Sequence, residues 1–298
     1  MCTVCGCDGA PVILKDDGSG HGHDHHHDHH HHDHTDDDHT HGHDHADQPG
    51  ADTSTSVRAI HYGSGTAGVS VPGVSQGDLV AIERRVLSKN DAIAMENRRR
   101  LATDGVIAIN MMSSPGSGKT TLLVKTITAL SEQFPVTVIE GDQQTSNDAA
   151  RIRETGAPAI QVNTGKGCHL DAQMVADALG ALPSRRGGLI FIENVGNLVC
   201  PASFDLGEAK RVVLASVTEG EDKPLKYPDM FASADLVVVT KTDLLPHLRF
   251  NVGELVENAR RVRPGVPVIL SSSESDEALE PWLAWLRGLV GIPAVAAE

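Results

Sequence analysis

The stretch Ser113–Thr120 constrains the fold of this 298-residue chain more than any other. It reads Ser-Ser-Pro-Gly-Ser-Gly-Lys-Thr, follows the apolar run Val106–Ile109 and leads into an apolar segment that starts at Thr121. A strand, a glycine-rich turn, a lysine, a hydroxyl and a helix, in this order, form a loop that holds phosphate groups. An ordinary β–α turn that happens to contain Gly-Lys-Thr is the alternative, and the flanking strand and helix argue against it.

The positions in this loop have defined roles in binding a nucleoside triphosphate. Gly116 and Gly118 let backbone N–H groups converge on phosphate oxygens, and the following helix N-terminus adds its dipole. Lys119 is placed to reach the β- and γ-phosphates, and the Thr120 hydroxyl is a ligand for Mg²⁺. Ser113 stands where the usual pattern has its first glycine. The residues predicted to contact nucleotide here are Pro115, Gly116, Ser117, Gly118, Lys119, Thr120 and Thr121.

Apolar runs after the loop predict an α/β fold with a mostly parallel sheet. Apolar strands without polar alternation, separated by helices, indicate a sheet sandwiched by helices. Helical patterns are expected near 147–155, 169–181 and 279–289. Strands are expected at Val136–Glu140, Ala159–Val162, Leu189–Ile192, Arg211–Val217, Leu236–Val239 and Val266–Leu270.

The chain divides into four predicted segments. Residues 1–50 hold a cysteine motif and a metal-binding tail, and 51–75 read as a flexible linker rich in Gly, Ser, Thr and Ala. Residues 76–104 form an amphipathic helix that packs on the core, and 105–298 form the nucleotide domain. The helix is predicted from three- and four-residue spacing of Leu79, Ile82, Val86, Asn90 and Ile93.

Composition predicts a cytoplasmic chain that binds neither nucleic acid nor membrane. No apolar stretch approaches the roughly 20 residues of a transmembrane helix, and the N-terminus has no signal-peptide pattern. The first fifty residues hold eleven Asp and one Lys, so −10 of the formal charge of −15 lies there, and no basic surface is indicated. Five cysteines, an odd number, are poor material for a disulfide framework.

Three of these cysteines, Cys2, Cys5 and Cys7, lie at the start of the chain. Their spacing lets three thiolates close on one soft or borderline metal ion. The fourth ligand is left open between the terminal amine, water and a distant side chain. A redox pair with a spare cysteine is the alternative, but no thioredoxin-like βαβ pattern accompanies the motif.

Residues 21–45 hold fourteen of the seventeen histidines, interspersed with seven aspartates. Such a segment has almost nothing apolar to bury, so we expect it to be disordered without metal. Imidazole suits Ni²⁺, Zn²⁺, Cu²⁺ and Co²⁺ without selecting among them. Because the histidines alternate with Asp inside the chain, metal storage is favoured over a purification tag. The candidate ligands are His21, His23, His25, His26, His27, His29, His30, His31, His32, His34, His39, His41, His43 and His45.

Polar residues follow the predicted strands at their C-terminal ends, where open parallel sheets bind ligands. Asp142 is placed to hold Mg²⁺ or to orient the attacking water. Glu193 begins Glu-Asn-Val-Gly, a candidate switch loop in which the Gly196 amide would sense the γ-phosphate. A helix cap is the alternative for either carboxylate. The predicted catalytic groups are therefore Lys119, Thr120, Asp142 and Glu193.

Lys241 and Asp243 indicate guanine as the base. An aspartate at this position can accept hydrogen bonds from N1–H and N2–H₂ of guanine, which adenine does not supply together. The Lys241 stem can lie over the base plane. Thr240 stands where the usual motif begins with Asn, and it offers a hydroxyl that can hold neighbouring loops. Ser271–Ser273 stands where a Ser-Ala-Lys loop is usual. GTP is favoured over ATP.

Cys168, His169 and Cys200 are candidate metal ligands in the nucleotide domain. Cys168 and His169 are predicted to begin a helix, where adjacent side chains diverge, so one chain would not place both around one ion. A two-fold dimer would instead supply ligands from two protomers. Buried structural cysteine is the alternative.

Four motifs together resemble the HypB family of hydrogenase nickel-incorporation GTPases, of the SIMIBI class of phosphate-loop proteins. They are Ser113–Thr121, Glu140–Gln144, Gly167–Leu170 and Glu193–Pro201, and the resemblance covers roughly residues 76–291. The start Cys2–Cys7 matches the N-terminal metal motif of some members.

The resemblance implies a GTPase that delivers nickel to the [NiFe]-hydrogenase large subunit precursor. It implies GTP-dependent homodimerisation, a metal site at Cys168, His169 and Cys200, and a small zinc-containing HypA-like partner; Zn²⁺ remains an alternative to Ni²⁺. Because no water-orienting Gln or arginine finger can be named, we expect slow turnover. A urease-type nickel GTPase, which would carry a Cys-Pro-His motif, and a metal-storage protein with a regulatory nucleotide domain are the alternatives.

Overall fold

The structure is a computed structural model that describes residues 75–142, 147–165, 167–183 and 186–291. The predicted Cys2, Cys5 and Cys7 motif and the histidine-rich tail lie outside these residues, as does almost all of the linker. Their proposed metal binding therefore stays a prediction from sequence.

Strands and helices alternate along the described chain. The strands are β1 (Ile107–Ser113), β2 (Val136–Asp142), β3 (Ala159–Asn163), β4 (Leu189–Glu193), β5 (Lys210–Ser216), β6 (Leu236–Thr240) and β7 (Val268–Leu270). The α-helices are α1 (Gln76–Thr103), α2 (Lys119–Leu130), α3 (Asn147–Arg153), α4 (Ala172–Ala181), α5 (Lys223–Lys226), α6 (Pro228–Ala232), α7 (Val252–Val262) and α8 (Asp276–Leu289). Short 3-10 helices span Cys200–Ser203 and Thr242–His247.

The seven strands form one sheet in the order β3-β2-β4-β1-β5-β6-β7. Every pairing between neighbours in this sheet is parallel, which confirms the predicted fold class. All the strand C-termini therefore lie along one edge. The helices α5 to α7 did not appear in the sequence prediction.

Central strands are apolar on both faces because both faces are covered. On one side, Ile109 and Met111 of β1 pack in a cluster with residues of α2 and α8, including the fully buried Trp282. On the other side, Ala108 packs with α4 and Met112 packs with α6 and α7. This double burial explains why the strands read as continuous apolar runs.

Two asparagines attach helix α1 to the nucleotide domain. The Asn97 side chain donates to the Ala172 and Leu206 carbonyls, at 2.8 and 3.1 Å. Asn90 is also buried and accepts a hydrogen bond from the Ala172 N–H at 2.9 Å. Helix α1 begins at Gln76, where the spacing predicts a helix, but Ile82, one of the residues that define this spacing, is 45% exposed.

No helix among the described residues combines the length and apolar character needed to cross a membrane. The longest, α1, carries charged residues along its whole length.

Replacing Asn97 with alanine tests how α1 is held. The variant Asn97→Ala leaves two buried carbonyls without their donor, so the free energy of unfolding should fall by about 2 kcal/mol. Chemical denaturation measures this. The control Met95→Ala removes an exposed side chain from the same helix and should change stability by less than about 0.5 kcal/mol. Equal losses in the two variants would show that other contacts hold the helix.

Candidate nucleotide-binding and metal site

The glycine-rich loop lies between β1 and α2, as the sequence predicts. Gly116 and Gly118 have φ angles of +73° and +92°, which side-chain-bearing residues rarely adopt. Lys119 opens α2, and its Nζ donates to Ser113 Oγ at 2.8 Å. Burial lowers the pKa of Lys119. The serine that replaces the usual first glycine thus holds the lysine amine inside the loop.

A cavity of about 540 Å³ opens above this loop. Thr120 Oγ1 donates to Glu193 Oε1 at 2.6 Å on one wall of the cavity. Ser117 is not among the residues that line this cavity. Of the predicted nucleotide and catalytic residues, the cavity is lined by Pro115, Gly116, Gly118, Lys119, Thr120, Thr121, Asp142, Glu193, Gly196 and Lys241.

Two carboxylates in this cavity are buried and incompletely paired. Glu140 Oε2 and Glu193 Oε2 have no hydrogen-bond partner among the described residues. Burial raises the pKa of Glu140 to about 8, and the nearby carboxylates Glu193, Asp142 and Asp148 add to this effect. Burial also raises the pKa of Glu193. Sequence reasoning missed Glu140, although its place at the end of β2, beside Asp142, was a usable signal.

These side chains fit a magnesium ion. Mg²⁺ prefers hard oxygen ligands and is commonly bound by a loop hydroxyl, one or two carboxylates and phosphate oxygens. Thr120, Asp142 and Glu193 offer such oxygens at one cavity, and the unpaired Glu193 Oε2 is an acceptor that a cation would satisfy. Thr120 and Asp142 are the predicted ligands; Glu193 is added by the structure.

Glu219 braces the phosphate loop at two serines that are not among the residues lining this cavity. It lies beyond β5 and accepts hydrogen bonds from Ser114 Oγ at 2.6 Å and Ser117 Oγ at 2.7 Å. Lys223 forms an ion pair with the same carboxylate at 3.3 Å. Sequence reasoning missed this residue, because nothing in the pattern around it indicates contact with a loop a hundred residues earlier.

Residues after β6 hold the other end of the phosphate loop. Thr240 Oγ1 donates to the Ser117 carbonyl at 2.7 Å, so this hydroxyl pins the neighbouring loop, as the sequence suggested. Lys241 has a φ of +58°, and its Nζ donates to the Gly116 carbonyl at 2.7 Å. Its stem therefore crosses the phosphate loop.

A second cavity, of about 280 Å³, adjoins the first and contains the predicted base-binding residues. Lys241 lines both cavities, and Asp243 lines the second. Ser272 Oγ donates to Asp243 Oδ1 at 2.6 Å, which fixes the orientation of this carboxylate. Ser271 lines the same cavity and has a buried hydroxyl with no hydrogen-bond partner among the described residues. These groups leave polar atoms for a base.

Cys168, His169 and Cys200 lie together within one chain. One ligand atom from each lies within 4.8 Å of the others. The two sulfur atoms are 2.7 Å apart, and His169 Nδ1 is 3.7 Å from Cys168 Sγ. The imidazole packs on Phe204 with ring centroids 4.0 Å apart. Burial lowers the pKa of His169, which favours the neutral form that binds metals.

The prediction that Cys168 and His169 begin a helix is wrong. Helix α4 begins at Ala172, because Asp171 adopts an extended N-cap conformation and its side chain accepts the Met174 N–H. Cys168 and His169 therefore lie in the preceding loop, where neighbouring side chains can point toward one ion. One chain can therefore bring both side chains toward one ion, and a dimer is not required to bring these three groups together.

Replacing Glu140 with glutamine tests the buried carboxylate through pH. A carboxyl whose pKa rises from 4.5 to about 8 on folding destabilises the folded state increasingly as pH rises between those values. Without nucleotide and in EDTA, the Tm of Glu140→Gln should therefore rise relative to the Tm of the native chain as pH increases. The difference between the two Tm values should grow by about 5 °C from pH 5 to pH 8. The exposed Glu132→Gln variant is the control and should follow the native curve. Parallel curves for Glu140→Gln and the native chain would contradict the assignment.

Comparison with known proteins places this architecture in a family. Residues 107–270 match the family model described as CobW/HypB/UreG, nucleotide-binding domain. The chain is 61% identical over 229 residues to the hydrogenase maturation factor HypB of Rhizobium leguminosarum bv. viciae, covering 77% of each chain. It is 58% identical over 228 residues to HypB of Azotobacter vinelandii, covering 76% of this chain and 75% of that one.

Two solved structures are similar to the described fold. The crystal structure of HypB from Helicobacter pylori in complex with nickel has a TM-score of 0.65 and 40% identity, covering 70% of this chain and all (100%) of that one. The crystal structure of HypB from Archaeoglobus fulgidus has a TM-score of 0.64 and 38% identity, covering 68% of this chain and 100% of that one. The chain belongs to the HypB hydrogenase maturation factors of the CobW/HypB/UreG family.

Proposed function

We propose that this chain is a GTPase that binds nickel at Cys168, His169 and Cys200 and delivers it to the precursor of a [NiFe]-hydrogenase large subunit. The observation that carries the proposal is the position of this cluster. Cys200 lies four residues beyond Gly196, which lines the nucleotide cavity, and the Asn197 side chain donates to the Cys168 carbonyl at 3.4 Å. Similar HypB proteins are hydrogenase maturation factors, and one was crystallised with nickel.

GTP occupies the two adjoining cavities in this proposal. Asp243 reads the guanine base, and the loop from Pro115 to Thr121 holds the phosphates, with Lys119 neutralising their charge. Bound Mg²⁺, on Thr120, Asp142 and Glu193, would screen the charge of the β- and γ-phosphates. The phosphates also supply an anionic partner for the buried Lys119, whose amine donates to Ser113 Oγ in this structure.

Hydrolysis is slow in this proposal, because the chain places few groups against the attacking water. Arg151 is the arginine that lines the cavity within the described residues, but its side chain is half exposed. Its Nη2 lies 3.4 Å from Thr121 Oγ1, and its Nη1 lies 3.4 Å from Asp148 Oδ1. An exposed arginine contributes less charge stabilisation than one that is enclosed with the phosphates.

Nucleotide state and metal binding are coupled in a cycle. GTP orders the loop from Asn194 to Gly196 and changes the metal affinity of the adjoining cluster, and hydrolysis reverses this change. Homodimerisation on GTP binding and transfer through a HypA-like partner complete the cycle in the cytoplasm. The residues 1–45 store nickel, or zinc, by weaker binding. The homodimer is proposed from the family resemblance alone, because the three candidate metal ligands already lie together within one chain.

Titration with nickel tests the coupling. The apparent Ni²⁺ affinity of the purified chain should differ at least about fivefold between GDP and a non-hydrolysable GTP analogue, the lower end of typical coupling between sites. Isothermal calorimetry measures it, and subtracting the same titration of Cys168→Ala removes binding by the tail. Thr120→Ala should lose GTPase activity and the GTP-dependent change while the tail still binds metal. Equal affinities in both nucleotide states of the native chain would overturn the cycle.

Hydrogenase maturation in cells separates delivery from storage. In cells that make a [NiFe]-hydrogenase and lack their own HypB, Cys168→Ala should reduce hydrogenase activity at least about tenfold at limiting and at ample nickel, because delivery needs the thiolate ligand. Deletion of residues 1–45 should reduce activity at limiting nickel alone. If the deletion abolishes activity at ample nickel while Cys168→Ala does not, storage is the main role.

A further inference from the structure

We infer that Asn194 is the positioning residue through which nucleotide state reaches the metal loop, defined as Thr164–Leu170. This inference rests on the proposed function, because it names how the nucleotide and metal sites of that function are coupled. Neither the family match nor the similar proteins assign this role to Asn194.

Asn194 belongs to the nucleotide cavity but binds the metal loop. It follows Glu193 directly, lines the cavity and is 1% exposed. Its Oδ1 accepts hydrogen bonds from the Val195 N–H at 3.0 Å and from the Leu170 N–H at 3.1 Å. Leu170 follows His169, so one amide oxygen ties the Glu193–Gly196 loop to the residue next to a metal ligand.

The amide of Asn194 is itself held in a buried polar chain. Its Nδ2 donates to Asn110 Oδ1 at 3.3 Å, and Asn110 Nδ2 donates to Glu208 Oε1 at 3.2 Å. Arg211 donates to the same Glu208 oxygen at 2.7 Å. Because Asn110 and Glu208 are buried, a rotation of Asn194 would strand polar groups away from water. The side chain therefore moves with its loop rather than independently of it.

The metal loop contacts the nucleotide site at a second place, which fixes its other end. The Thr164 N–H donates at 2.9 Å to the backbone carbonyl of Asp142, whose side chain is a predicted magnesium ligand. Leu170 is fully buried against Gly141, where an added Cβ would lie 2.6 Å from Leu170 Cγ. With Thr164 anchored at β2, a displacement of Asn194 would change the position of His169 relative to that anchor. Binding of a γ-phosphate at Gly196 would displace Asn194 in this way.

Asn90 provides a matched comparison. It too is a buried asparagine whose Oδ1 accepts a backbone N–H just after the metal loop, that of Ala172 at 2.9 Å. Its own position is on helix α1, and its Nδ2 donates to the Asp205 carbonyl at 2.7 Å. The two asparagines support the same segment of chain, but Asn194 alone of the pair lines the nucleotide cavity.

Measuring the nucleotide dependence of nickel affinity in the two variants tests the inference. With nickel chloride as the probe and each nucleotide at saturation, Asn194→Ala should reduce the ratio of affinities between the GTP-analogue and GDP states to less than about twofold. Asn90→Ala should keep the native ratio, even though both variants lose stability. Thermal melting confirms that each variant is folded, and subtraction of the matching Cys168→Ala titration isolates the cluster.

The outcomes separate the inference from the proposed function. If the nickel affinity of the native chain does not depend on the nucleotide, both the inference and the proposed function are overturned. If Asn194→Ala keeps the native ratio of nickel affinities between the two nucleotide states, the inference is overturned and the proposed function stands. Loss of the ratio in both variants also overturns it, because support of the segment, rather than contact with the nucleotide loop, would then set the coupling.

Hydrogen exchange in the native chain gives a second measurement that needs no variant. In metal-free protein, peptides spanning Thr164–Leu170 should change their exchange rate between the GDP and GTP-analogue states, as the hydrogen bond from Leu170 to Asn194 is rearranged. Peptides from the region of α1 around Asn90 should not change. Identical exchange of the metal loop in both states would contradict the inference even if Asn194→Ala failed to fold.

Discussion

The position of β4 between β1 and β2 is the constraint on which the rest of the site depends. Parallel pairing sets Glu193 beside Met111 on one side and Glu140 on the other. The phosphate loop after β1, the candidate switch loop after β4 and Asp142 at the end of β2 therefore meet at one edge of the sheet. The hydrogen bond from Thr120 to Glu193 joins the first two. Without this strand order, residues far apart in sequence would not share a cavity.

The same edge concentrates ionisable groups whose charged forms are disfavoured by burial. Glu140 and Glu193 each have a buried oxygen with no hydrogen-bond partner within the described part of the chain, and burial lowers the pKa of Lys119. Buried charges are costly unless they are paired, so the ionisable groups around this cavity lower the free energy of unfolding. In the proposed function, a nucleotide and its metal ion would supply opposite charges to these groups. Binding should therefore stabilise the fold at the loops that line the cavity.

Much of the fold and the nucleotide site follows from local patterns. The strand, turn and helix around Gly116 and Gly118, the double-sided apolar strands and Asp243 after β6 are all encoded by neighbouring residues, so the sequence indicated them. Glu219 and Asn194 were different, because their roles depend on contacts between distant segments. The metal loop was misread for a local reason: apolar spacing after Cys168 resembles a helix, but the Asp171 cap delays the helix start.

The delayed start of α4 bears directly on how metal binding could respond to nucleotide. Ligands on a helix would be fixed to a rigid element packed on the sheet. Cys168 and His169 instead lie on a short loop that contacts the nucleotide site at both ends, at Asp142 and at Asn194. Cys200 lies on the chain that continues from Gly196. Each candidate ligand is thus connected to the candidate switch loop or to β2 by a few residues. A small shift there would change the distances among three candidate ligand atoms that lie within 4.8 Å of one another.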